Sequence, residues 1–147
     1  MLTGAHTYGK THCPPIARRL YQFSNNSGID PTLNKTYAMG LMKKCTLPIN
    51  PNATVPLDPS TPNTFDNAYF KELMQNEGIF SSDSALVIDA RTRVFVTEYA
   101  NDENSFRDQF GDAMIRMGRI QILTGQQGEI RKRCGFVNSN STGQAAN

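Results

Sequence analysis

The sequence predicts a mainly α-helical protein. Apolar residues recur at helical spacing in the stretches that follow Pro31, Thr64, Asp89 and Glu103. Strand-like alternation is scarce, and the chain shows no internal repeat. Its 147 residues suffice for one hydrophobic core, which would bury roughly 70% of the unfolded surface.

Each element has its own signal. Leu2 to Cys13 reads as the last turns of a helix, ended by Gly9 and Pro14-Pro15. Arg18 to Phe23 is ambiguous, and Asn25-Asn26-Ser27-Gly28 is a turn cluster. Pro31 to Lys44 reads as a helix, with Leu33, Tyr37 and Leu41 four residues apart. From Thr46 to Thr64 the chain carries five of its eight prolines and is expected to be loop. Long loops of this kind usually carry function. Thr64 can cap a helix from Phe65 to about Asn76, with Phe65, Tyr69 and Leu73 facing a core and Gly78 as terminator. Asp89 can cap a helix through Val94, Phe95 and Tyr99. A last helix from Glu103 to Met117 carries the stripe Phe106, Phe110, Ala113, Met114 and Met117. Residues 1–137 are expected to form the folded part, and 138–147, rich in Asn, Ser and Gly, a disordered tail.

Composition excludes several functions. Hydrophobic residues make up 38% of the chain, with eleven glycines besides, so it is globular but polar. The net charge is +2 with both signs interleaved, which leaves no nucleic-acid or membrane-surface footprint. No apolar run approaches the ~18 residues of a membrane span. Met1 to Gly4 has neither the basic nor the apolar region of a signal peptide. Yet four N-x-S/T sequons, at Asn25, Asn34, Asn52 and Asn140, suit a secreted protein, in which an odd count of three cysteines suggests a missing partner. Truncation at the N-terminus would reconcile the two.

Three groups of residues invite chemistry. His6 is one of two histidines and suits a metal. Cys13 and Cys45 suit either a disulfide closing the intervening loop or two buried thiols, and Cys134 is left without a partner. His6, His12, Cys13 and Cys45 together match no common zinc spacing. The loop from Asp58 to Asp66 gathers two carboxylates, hydroxyls and carbonyls within nine residues. Hard oxygens on an irregular loop suit calcium, the alternative being a plain turn before a helix. Asp83 is either a turn carboxylate or the acceptor that orients a metal-bound histidine.

Taken together, these segments resemble the C-terminal half of a plant secretory haem peroxidase, the class III family, from Leu2 to about Asn140. Leu2-Thr3-Gly4-Ala5-His6-Thr7, with Gly9 and His12-Cys13, is similar to the family's proximal-haem signature. The resemblance implies that His6 is the axial ligand of a haem b iron. The Asp58-to-Asp66 loop resembles the family's proximal calcium site. It implies side-chain oxygens from Thr7, Asp58, Thr61 and Asp66 and a backbone carbonyl from Thr64. The segment Gly78 to Asp83 is similar to the one whose aspartate hydrogen-bonds the axial histidine, which gives Asp83 that role. Cys13 and Cys45 match a family disulfide, while the expected partner of Cys134 lies in the other half. His12 is either a haem-propionate contact or a surface histidine, and Leu57 either packs near the haem or is a plain core residue. Ala113 to Gly118 and Thr124 to Arg131 are similar to the family's C-terminal region.

The implied fold is the proximal part of the haem-peroxidase helical domain. The implied reaction is oxidation of small phenolic donors by hydrogen peroxide, in a disulfide-bonded, glycosylated protein that is secreted or vacuolar. The family's distal histidine and arginine belong upstream of His6, so this chain is expected to lack them. Proton transfer of that kind contributes ~10²–10⁴-fold and an electrostatic donor ~10²–10³-fold. Peroxide cleavage by the chain alone is therefore expected to be slow. The competing class is a non-catalytic extracellular fragment that binds calcium and no haem.

Overall fold

The computed structural model describes residues 1–24 and 28–138. The described chain is mainly helical. A 3₁₀ helix, Leu2–Thr7, leads into β1, Lys10–His12, and α1, Pro14–Tyr21. There follow α2, Lys35–Lys44; β2, Thr54–Pro56; α3, Ala68–Met74; α4, Ser81–Ile88; α5, Ala90–Asn101; and α6, Glu103–Gly118. The chain divides into two compact units, Met1–Met114 and Ile115–Asn147.

Several boundaries differ from expectation for physical reasons. Leu2 to Cys13 is not the end of one helix, because the backbone turns at Gly9 (φ 106°) and pairs as β1. That strand runs antiparallel to β2 with Thr11 opposite Val55. The long loop therefore contains a strand. Pro14-Pro15 opens α1 rather than closing a helix, since proline is tolerated in the first turn, where the amide hydrogen has no partner anyway. In α2 the first turn starts at Lys35, where the Asn34 carboxamide accepts from the amides of Thr36 and Tyr37 at 2.9 and 3.2 Å. Asn67, not Thr64, precedes the first turn of α3. Beyond the end of that helix, Asn76, with a positive φ of 60°, takes the terminating place expected of Gly78. The helix capped by Asp89 agrees with expectation, its carboxylate accepting from the Arg91 amide at 2.9 Å. Along α6 the predicted stripe is buried only at Phe106; Met114 and Met117 are exposed.

Two apolar clusters form the first unit. One joins α1, α2 and β2 around Ile16, Leu20, Leu41 and Val55. The Cys13–Cys45 disulfide, with Cα atoms 5.5 Å apart, lies within it. Closing a loop of that length contributes roughly 3–4 kcal/mol in the chain-entropy description. Leu57 packs against this cluster, half-buried. The second cluster stacks aromatic rings: Phe70 lies 5.0 Å from Tyr69, 5.1 Å from Tyr99 and 4.9 Å from Phe106, centroid to centroid. In the second unit, Ile120, Leu123, Ile130 and Phe136 are exposed, and Cys134 is exposed and free among the described residues. The predicted tail lies, from residue 139, outside the described residues, as do the sequons at Asn25 and Asn140.

Candidate haem-ligand and calcium sites

The 3₁₀ helix places two adjacent side chains in opposite environments. Thr7 is fully buried, whereas the His6 ring is 29% exposed. His6 Nδ1 lies 3.0 Å from Asp83 Oδ1, a pairing across 77 residues of sequence. Asp83 is wholly buried on α4, a helix that sequence reasoning missed. The signal was present: an acidic residue at the third helical position reaches back to the amide before the first turn. Here Asp83 Oδ2 accepts from the Phe80 amide at 2.8 Å. The Tyr69 hydroxyl donates to Oδ1 at 2.9 Å. Burial first, and then the Asp83 charge, push the Tyr69 hydroxyl far above its ordinary range, so it keeps its proton. Phe80 and Tyr69 also wall the imidazole, with ring centroids 5.2 and 5.8 Å away.

This arrangement holds the imidazole in an orientation suited to coordination. A carboxylate at Nδ1 keeps the proton there and leaves Nε2 with a lone pair. The exposed fraction of the ring gives an incoming metal access to it. These residues fit a metal bound through one imidazole. Gly78 enforces the geometry, because an added Cβ would stand 2.6 Å from Asp83 Cβ and 2.6 Å from Leu73 Cδ2.

Thr7 belongs to a second site. Its hydroxyl lies 3.2 Å from Asp58 Oδ2 and 3.3 Å from Asp66 Oδ1. The Thr61 hydroxyl lies 3.3 and 3.1 Å from the same two atoms. A hydroxyl has one proton, so two hydroxyls cannot make all four contacts as hydrogen bonds. Four oxygens gathered beyond their hydrogen-bonding capacity fit a hard cation. The site is held from behind: Asp58 Oδ1 accepts from the amides of Ser60 and Thr61 at 2.9 and 2.8 Å, and Asp66 Oδ1 from Ala68 at 2.8 Å. The Thr64 amide donates to the Thr61 carbonyl at 3.0 Å, which folds the loop back on itself. Glu72, unnoticed in the sequence, lies buried behind the loop and accepts from the Ser60 amide at 3.2 Å. Burial pushes its carboxyl up to about 8; the Ser60 hydrogen bonds oppose that rise and the Asp58 charge adds to it.

Cys13 and Cys45 are bonded to each other, which removes them from any zinc set. His12 is an exposed residue of β1 whose Nδ1 lies 2.9 Å from the Pro51 carbonyl.

Comparison with known proteins gives the chain's relatives. The peroxidase family profile matches residues 1–102. Over 137 residues, 93% of this chain, it is 44% identical to Peroxidase 45 and 44% identical to Peroxidase 16, both from Arabidopsis thaliana. It is 39% identical over 139 residues, 94% of the chain, to Peroxidase 5 of Vitis vinifera. In each case the match covers 42% of the relative, so the chain spans less than half the length of the curated relatives it matches. With its family profile, its plant relatives and its helical architecture in agreement, the chain belongs to the peroxidase family.

Proposed function

We propose that this chain supplies the haem-ligating and calcium-binding portion of a plant peroxidase that oxidises small phenolic donors with hydrogen peroxide. The observation that carries the reading is the His6–Asp83 pair: a buried carboxylate holding one nitrogen of an accessible imidazole. His6 would hold the iron of haem b through Nε2. Haem held there would supply the electron-transfer chemistry by which a phenolic donor is oxidised and hydrogen peroxide reduced to water.

The chain's own residues tune that ligand. Asp83 keeps the proton on Nδ1 and makes Nε2 a stronger donor. The Tyr69 hydroxyl and Phe80 amide share the same carboxylate and so limit how far it pulls the imidazole proton. Calcium would be held by Thr7, Asp58, Thr61 and Asp66, with the Thr64 carbonyl completing the set. Since Thr7 follows His6 directly, the cation would fix the backbone that carries the iron ligand. His12 would meet a haem propionate from β1. The disulfide suits an oxidising compartment, secreted or vacuolar, and no described helix is long and apolar enough to cross a membrane. Exposed Asn52 is the glycan acceptor we favour over Asn34, whose carboxamide is engaged at the start of α2.

Reconstitution tests the reading. Refolded with haemin and calcium and then desalted, the chain should elute with a Soret band. A chain that elutes with its calcium but without haemin would support the calcium-binding alternative instead.

A further inference from the structure

Arg19, on α1, is 5% exposed and lies outside the set of candidate site residues. Its guanidinium makes four hydrogen bonds in the fixed planar fork that only arginine offers. Nε donates to Asp30 at 2.7 Å, and Nη1 to the Gly78 carbonyl at 2.8 Å. Nη2 donates to the hydroxyls of Ser84, at 2.7 Å, and Thr32, at 3.2 Å. Asp30 is itself 1% exposed. Burial alone would raise its carboxyl, but hydrogen bonds from Thr32 and Arg19 outweigh that and hold it below the usual carboxylate range. The pair is therefore charged, and its anchor on the α1 side is firm.

Only Nε faces the counter-ion. The two remaining nitrogens reach across 59 and 65 residues of sequence to positions on either side of Asp83. A Cβ added at Gly78 would stand 2.6 Å from Asp83 Cβ, so the two residues pack with no room between them, and Ser84 is the covalent neighbour of Asp83. A shift at either residue moves the Asp83 carboxylate relative to His6. We propose that Arg19 is a positioning residue for the His6–Asp83 couple, gripping the chain on both sides of Asp83 so that the carboxylate stays aimed at the imidazole. The proposal rests on the functional reading above for its consequence, but its geometry is independent of haem.

The test needs no haem. Nuclear magnetic resonance of isotope-labelled histidine in the full chain, at neutral pH and assigned with a His12→Gln variant, reads the tautomer of His6 and the exchange rate of its Nδ1 proton. The wild-type chain should carry that proton on Nδ1. Arg19→Lys keeps the charge but loses the fork; Ser84→Ala keeps the Arg19–Asp30 pair and loses one grip. Each should speed Nδ1 proton exchange roughly tenfold and mix in the Nε2–H tautomer. Asn34→Ala, which weakens the start of α2 and touches none of the partners of Arg19, should leave the His6 signal as in the wild-type chain. Unchanged exchange in both folded variants would overturn the proposal, as would an equal effect of Asn34→Ala. If Arg19→Lys fails to fold, Ser84→Ala decides alone. Loss of haem binding with these shifts intact would contradict the functional reading and leave the Arg19 proposal standing.

Discussion

Asp83 accepts from His6, Tyr69 and the Phe80 amide at once, so its charge is spread over three donors. Glu72 is the opposite case, a buried carboxyl with Oε2 unpartnered. In the unfolded chain it would release its proton near the ordinary glutamate value, whereas the folded chain holds that proton up to about 8. Between those values the folded state binds more protons, so stability must fall as pH rises through the window. The difference corresponds to about 3–5 kcal/mol as an upper bound. Glu72→Gln should flatten the pH dependence of Tm in calcium-free protein between about pH 5 and 8; an unaltered slope would contradict this. Glu72 could not be singled out in the sequence, where it is one charged residue in an amphipathic stretch. His6, Thr7, Asp58 and Asp66 were legible because the resemblance rests on their surrounding motifs. Tyr69 was legible only as a core aromatic, since nothing local shows where its hydroxyl points.

At the level of elements, caps and periodicity decided what could be read. Asp89 and the regular stripe beyond it made α5 plain, and the extent of α6 followed from the same pattern. α4 was hidden because it opens with Ser81-Ser82-Asp83-Ser84, has no side-chain cap at Phe80, and is only eight residues long. β1 and β2 have three residues each, too few for an alternation to register. Pro14-Pro15 fits a helix end or a helix start equally well from sequence; pairing of the preceding residues with β2 decides it. For α2 the cap carries a direct prediction. Asn34→Ala removes the acceptor for two amides and should lower stability by ~1 kcal/mol, read as a lower urea midpoint at constant slope. A midpoint that does not move would show that tertiary packing alone holds the first turn.

Across the whole chain, the site depends on residues brought together from distant segments: His6 with Asp83, and Thr7 with Asp58 and Asp66. Sequence spacing cannot predict such meetings; the family resemblance supplied them, and the fold brings their side chains within hydrogen-bonding distance. Calcium gives a global test, because a ligand bound only by the folded state raises its stability. A hundredfold excess over Kd contributes roughly 2–3 kcal/mol. Chelation should therefore lower Tm, and Asp58→Ala should remove that sensitivity; a chelator without effect on the wild-type chain would mean that the oxygen cluster binds no cation. The central claim is that His6, held by Asp83, is the iron ligand. Haemin titrated into the wild-type chain, His6→Ala and His12→Ala, with the Soret band followed, tests it most directly. The account predicts a shifted band in the wild-type chain and His12→Ala that is absent in His6→Ala. A shift that survives in His6→Ala, or one that vanishes in His12→Ala alone, would contradict it.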